Sequence, residues 1–212
     1  MKILFFGDSV TDAYRSRDFD KEHLYALGYG YVNQCVTALM QEAPFAHTFV
    51  NKGIGGNRVV DLYARLKVDV WNEEPDLISI LVGVNDATHD FRENPNGVEV
   101  ERYESVYRML IEDTLNKLPN IKIILLEPFF LHGEATDYQN RYEHFTTVTQ
   151  YAEVTKRLAK EFNLPFVALQ DKFNEAAEKY GDDKVLADGV HPNAFGARLI
   201  ANEWLSVFKK EI

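Results

Sequence analysis

Lys2-Ile3-Leu4-Phe5-Phe6, running into Gly7-Asp8-Ser9-Val10-Thr11, is the stretch on which the reading of the fold turns. Consecutive apolar residues, rather than alternating ones, are what a strand needs when both faces of its sheet are covered. Four further short runs share this character: Thr48–Asn51, Leu77–Val82, Ile121–Leu126 and Phe166–Leu169. Between them the period changes to that of a helix. Val100, Tyr103, Val106, Tyr107, Leu110, Ile111, Leu115 and Leu118 fall on one helical face, and Val148, Tyr151, Ala152, Val154, Leu158, Ala159 and Phe162 on another. Helices are also predicted over Tyr31–Met40, Val59–Val70, Lys172–Lys179 and Ala194–Phe208. Five strands alternating with helices predict an α/β protein, a three-layer α/β/α sandwich around a parallel sheet. No Pro-, Gly- or Ser-rich linker and no internal repeat divides the chain, so residues 1–212 are read as a single domain.

The same opening stretch bears on location. Four apolar residues after one lysine are too few for a secretory signal core, and no longer run could cross a bilayer, so a cytoplasmic protein is expected. The 212 residues carry a net charge of −10, and the basic residues form no cluster, which argues against nucleic acid or an anionic membrane as partner. The one cysteine, Cys35, excludes an intramolecular disulfide. Its apolar, helix-like surroundings predict a buried packing thiol.

In open parallel sheets the loops after the carboxyl ends of strands build the binding crevice. Asp12–Gly30, Asp86–Gly97 and Pro128–His144 are predicted as long loops of that kind, and four short patterns, three just past strands and one just ahead of the last helix, carry chemistry. Gly7-Asp8-Ser9 places a hydroxyl just past the first strand, although an isolated tripeptide of this type also reads as a helix N-cap at Asp8 or Ser9. Asn51-Lys52-Gly53-Ile54-Gly55-Gly56-Asn57-Arg58 can expose backbone N–H groups to a substrate oxygen at a helix start. It departs from a dinucleotide fingerprint, since Arg58 stands where the third glycine is required. Gly83-Val84-Asn85-Asp86 can aim an amide at a developing oxyanion, or serve as an ordinary turn. Asp188-Gly189-Val190-His191-Pro192 lets a carboxylate curl back through a glycine onto the imidazole that a serine nucleophile needs. Singly, each pattern has a structural reading. Jointly they supply nucleophile, base, orienting acid and oxyanion donors, the parts required for acyl transfer.

At these residues the sequence resembles the SGNH (GDSL-type) hydrolases, named for a Ser, a Gly, an Asn and a His in four blocks. Ser9 sits in the Gly-Asp-Ser block, and Asn51, Ile54 and Gly56 match Asn-x-x-Ile-x-Gly. Gly83-x-Asn85-Asp86 and Asp188-x-x-His191 complete the set, in order, over essentially the whole chain. The serine block departs only in reading Val10 where leucine is usual. The resemblance implies a flavodoxin-like sheet of order 2-1-3-4-5. It also implies catalysis by Ser9, His191 and Asp188, and an oxyanion hole from the Ser9 and Gly56 N–H groups and the Asn85 amide. Within the family the sequence is similar to intracellular bacterial acetyl xylan esterases in Gly28-Tyr29-Gly30-Tyr31-Val32, Asn51-Lys52-Gly53-Ile54 and Val190-His191-Pro192. That similarity implies removal of acetyl groups from xylo-oligosaccharides, and a homo-oligomer.

The expected reaction needs neither cofactor nor metal, because His89, His132 and the carboxylates near Asp86 are scattered over separate loops. Asp8 is expected to orient the serine loop through backbone hydrogen bonds. Tyr14, Arg15, Arg58, His89, Phe129, Phe130 and His132 are loop residues expected to wall the substrate pocket, with core or subunit contacts as the competing reading. A short-chain lipolytic esterase, lysophospholipase or thioesterase is the rival enzyme. A non-catalytic sugar- or nucleotide-binding module is the rival of another class.

Overall fold

A computed structural model describes residues 1–18, 23–91, 93–138 and 141–212. The strands are β1 Lys2–Gly7, β2 Thr48–Gly53, β3 Leu77–Leu81, β4 Lys122–Leu126 and β5 Phe166–Val167. All pair in parallel, in the order β2-β1-β3-β4-β5, as the sequence led us to expect. The helices in chain order are α1 Ser9–Asp12, α2 Leu24–Leu27, α3 Tyr31–Glu42, α4 Val59–Asp69, α5 Val84–Thr88 and α6 Val100–Lys117. They continue with α7 Glu134–Asp137, α8 Tyr142–Phe145, α9 Val148–Glu161, α10 Gln170–Tyr180 and α11 Ala194–Glu211. No described helix is long and apolar enough to cross a membrane.

Alternation along the first strand explains why it is apolar throughout. Ile3 and Phe5 enter one core with Val32, Cys35 and Leu39 of α3, Phe173 of α10 and Ile200 and Trp204 of α11. Leu4 and Phe6 enter the other with Leu62 and Leu66 of α4, Tyr103 and Tyr107 of α6 and Leu158 of α9. Successive side chains of a strand point to opposite faces, so a sheet with helices on both sides removes both sets from water. Cys35 is fully buried, as expected. Ser79, the polar residue inside β3, accepts a hydrogen bond from the buried Trp204 Nε1–H at 2.9 Å, which satisfies both groups.

Two differences from the sequence reading change how a segment ends or begins near the crevice. The last strand ends at Val167, because Glu127 takes the N–H groups of Leu169 and Gln170 at 2.6 and 2.9 Å and turns the chain into α10. Asp86, read as the start of a long loop, lies with Asn85 in the first turn of α5. The chain leaves β1 for β2 on one side and then crosses back to β3 on the other. The carboxyl end of β1 is therefore flanked by the loops after β2 and β3, the usual place for a crevice in such sheets.

Candidate active site

Ser9 is the first residue of α1, two positions past the end of β1. Asp8 is its N-cap. Buried beneath the turn, its Oδ1 accepts the Val10 N–H at 3.0 Å. Burial pushes the Asp8 carboxyl up to about 6, against the pull of the Val10 N–H and of a charge on His191. The turn is held from outside as well. Buried Asn51 donates from Nδ2 to Thr11 O at 2.7 Å and Leu27 O at 2.8 Å, while its Oδ1 accepts the Gly53 N–H at 2.8 Å. Arg65 lies over the Phe6 ring at 4.3 Å and donates to Gly7 O at 3.1 Å. Sequence reasoning matched Asn51 to a motif without seeing this function, and it overlooked Arg65, whose helical position is eloquent only in space.

The glycine loop after β2 comes against this turn. Gly55 N–H donates to Asp12 Oδ2 at 3.1 Å. For the Gly56 N–H no acceptor appears among the described residues. Gly56 has φ +80°, a left-handed conformation open to glycine, and a Cβ there would meet nothing within 4 Å. Asn85 is buried and donates one amide hydrogen to Asn57 O at 3.0 Å, leaving the second. Asp86 is fully buried, and its Oδ1 accepts the Val59 N–H at 2.9 Å. Burial drives its carboxyl up to about 8, in spite of that bond.

His191 arrives from the far end of the chain. Its Nε2 lies 2.9 Å from Ser9 Oγ, and its Nδ1 lies 2.7 Å from Asp188 Oδ2. Asp188 Oδ1 also accepts the N–H groups of Val190 and His191, at 2.9 and 2.8 Å, which closes a tight turn through Gly189 at φ +94°. Partial burial works to raise the Asp188 carboxyl, but the bonds from the His191 ring and backbone outweigh it and hold it at about 2. The same ring bond raises the imidazole above its ordinary value, against desolvation. The turn is anchored by the segment after β4: Leu131 N–H donates to Gly189 O at 2.8 Å and Ala135 N–H to Asp188 O at 2.9 Å. The backbones are in contact here, since a Cβ on Gly133 would lie 2.3 Å from Asp188 C.

A cleft of about 490 Å³ opens beside His191 and Asn85. Val84, Phe91, Phe145 and Val190 give it apolar surface, and Glu134, Tyr138 and Arg141 give it polar groups. None of the seven expected wall residues lines it. Phe129 and Phe130 enter opposite cores, the first stacked on Phe173 at 4.2 Å between centroids. His89 is buried. Arg15 donates to Gly53 O at 2.8 Å. Arg58 is drawn to Asp61 at 2.9 Å and to Asn96 O. His132 stacks on Tyr142 and faces Asp137 at 2.9 Å. Tyr14 is 86% exposed and stacks on Tyr29. The polar wall residues Glu134, Tyr138 and Arg141 instead come from α7 and α8 and their surroundings, inside the span read as a long loop, where no periodicity marked which side chains face inward. Residues 19–22, 92 and 139–140 of the three predicted loops lie outside the described residues.

With this geometry in place, comparison with known proteins gives the same class. The GDSL-like lipase/acylhydrolase family matches residues 5–199. An acetylxylan esterase of Geobacillus stearothermophilus is 37% identical, over 96% of this chain and 92% of its own. An isoamyl acetate-hydrolyzing esterase of Saccharomyces cerevisiae is 26% identical, over 98% and 86%. Among solved structures, a protein of Parabacteroides merdae described as a GDSL-like lipase superposes with a TM-score of 0.90 at 36% identity, covering 98% of this chain and 95% of that one. The Geobacillus enzyme itself superposes at 0.86 and 36% identity, covering 99% and 94%. The chain belongs to the GDSL-like lipase/acylhydrolase family, and it is a carboxylic-ester hydrolase. Structures described as catalytic mutants of the Geobacillus enzyme replace a serine, an aspartate and a histidine, the last two three residues apart, as Asp188 and His191 are here. In that enzyme a tryptophan directly precedes the aspartate. Exposed Ala187 precedes Asp188.

Proposed function

We propose that this protein removes acetyl groups from acetylated sugars, with xylo-oligosaccharides as the reference substrate, through an acyl-enzyme on Ser9. The observation that carries the reading is the continuous relay Asp188–His191–Ser9, with contacts of 2.7 and 2.9 Å. His191 Nδ1–H donates to Asp188, which leaves Nε2 to take the Ser9 proton as Oγ attacks the acetyl carbonyl. Asp188, held at about 2, stays ionised and stabilises the imidazolium that forms. The oxyanion of the tetrahedral intermediate sits among the Ser9 and Gly56 N–H groups and the free Asn85 amide hydrogen. His191 then protonates the departing alcohol, and water repeats the sequence to release acetate.

The leaving oxygen must lie within reach of His191 Nε2, so the alcohol half of the ester belongs in the cleft that borders this ring. Its mixed walls suit a sugar, with Val84, Phe91 and Phe145 for the ring faces and Glu134, Tyr138 and Arg141 for hydroxyls. The acetyl half is supported from another direction. The Geobacillus relative is named for acetylxylan and the yeast relative for isoamyl acetate, so two different alcohols are joined to one acyl group.

Acetate release from acetylated xylo-oligosaccharides, set beside hydrolysis of nitrophenyl acetate, butyrate and octanoate, tests the proposal. We expect sugar acetates to be cleaved and the rate to fall steeply beyond acetate. A rate that rises toward octanoate would instead identify a lipolytic esterase.

A further inference from the structure

Asp86 is a costly residue to keep where it is. It is fully buried, only one of its oxygens has a hydrogen-bond partner, and Oδ2 meets none among the described residues. Buried polar groups left without partners destabilise a fold, and a well-packed apolar residue would avoid that cost. The used oxygen shows what the carboxyl group gives in return. Oδ1 holds the Val59 N–H at 2.9 Å, at the head of α4, while the neighbouring Asn85 holds Asn57 O at 3.0 Å. Two consecutive residues of α5 thus grip both ends of Asn57-Arg58-Val59, the tripeptide that directly follows Gly56. The grip has a support of its own, since Asp86 O accepts the Val98 N–H at 3.0 Å.

We propose that Asp86 is a positioning residue for ester hydrolysis, setting the Gly56 N–H against the Asn85 amide so that both converge on one oxyanion. This rests on the assignment of Gly56 and Asn85 to the oxyanion hole. Asp12 holds the loop at Gly55, and Arg65 and Asn85 hold it at Asn57, which leaves its Val59 end to Asp86. With the Asp86 bond added, its distance and its direction are both set. Donors aimed at developing charge act only when held in place before the reaction, and small misplacements are expensive.

The test compares two substitutions of similar volume. Asp86→Asn keeps an oxygen for the Val59 N–H, whereas Asp86→Leu does not. With nitrophenyl acetate we expect Asp86→Leu to lower kcat by about tenfold or more, with KM within about threefold, and Asp86→Asn to keep kcat within about threefold. In an Asn85→Ala background the added Asp86→Leu change should cost less than about threefold, because its effect runs through the hole that Asn85 completes. Equal losses in both backgrounds, an Asn variant as impaired as the Leu variant, or an unimpaired Leu variant would each overturn the proposal. If Asp86→Leu does not fold, Asp86→Asn decides: a kcat loss beyond about tenfold at an unchanged Tm rejects it. A fully active Asn85→Ala protein would reject the oxyanion assignment itself, a separate result from failure of the Asp86 role.

Discussion

The wall of the crevice carried by β1, β2 and β3 and the wall carried by residues 131–145 and 186–192 differ in how their polar groups are held. On the first, Asp8, Asn51, Asn85 and Asp86 are buried and tied to backbone groups. On the second, the His191 and Asp188 side chains are 47% and 30% exposed, and Glu134 and Tyr138 face solvent. A group that must meet a transition state has to be fixed beforehand, and burial with satisfied hydrogen bonds does that. A group that meets the alcohol half of varied esters can be exposed and adaptable. On the proposed mechanism the walls divide the work between bond-breaking and substrate choice, with His191 reaching across from the outer one.

The sharpest way to break this comparison is Ser9→Ala. It should lower kcat by about 10⁴-fold or more while leaving Tm unchanged, since Ser9 contributes little to the core. Undiminished turnover by nitrophenyl ester assay would remove the inner wall from the chemistry. Asn85→Ala should follow, with a kcat loss of about 10²- to 10³-fold and little change in KM. A loss confined to KM would make Asn85 a substrate-binding residue.

A third experiment examines the residue that bridges the walls. The proposed mechanism needs neutral His191, and its pKa is raised by Asp188, so kcat/KM should fall as pH drops through a value above the ordinary 6.5 of histidine. Asp188→Asn takes away the raising bond, and the acid limb should move to lower pH with a reduced plateau. An acid limb that stays put between pH 5 and 9 would mean that another group controls it. The smallest effect is expected on the outer wall. Tyr138→Ala should raise KM for acetylated oligosaccharides by about tenfold, roughly one lost contact, and leave nitrophenyl acetate unaffected.

Much of this was legible in the chain. Continuous apolar runs separated by helical periods announced the sheet, because a strand covered on both faces has no polar side to display. Ser9, Asn85 and the Asp188–His191 pair could be picked out because each lies within a few residues of a strand or helix end, and short-range geometry limits where such side chains go. Phe129 and Phe130 were misread for a related reason. They come shortly after β4, where the chain still runs between the two helical layers, and each enters a core instead of the crevice.

By itself, the sequence determined the layers of the fold, the residues able to do acyl-transfer chemistry and the tight turn that orients His191. All of these follow from local periodicity or from contacts within a few positions. Only the tertiary structure decided that His191 meets a serine 182 positions away, that Asn51 and Arg65 hold the serine turn, and which residues of 134–145 face the cleft. Those outcomes depend on how separate elements pack against one another. Packing is a property of the whole core, which no short window of sequence contains.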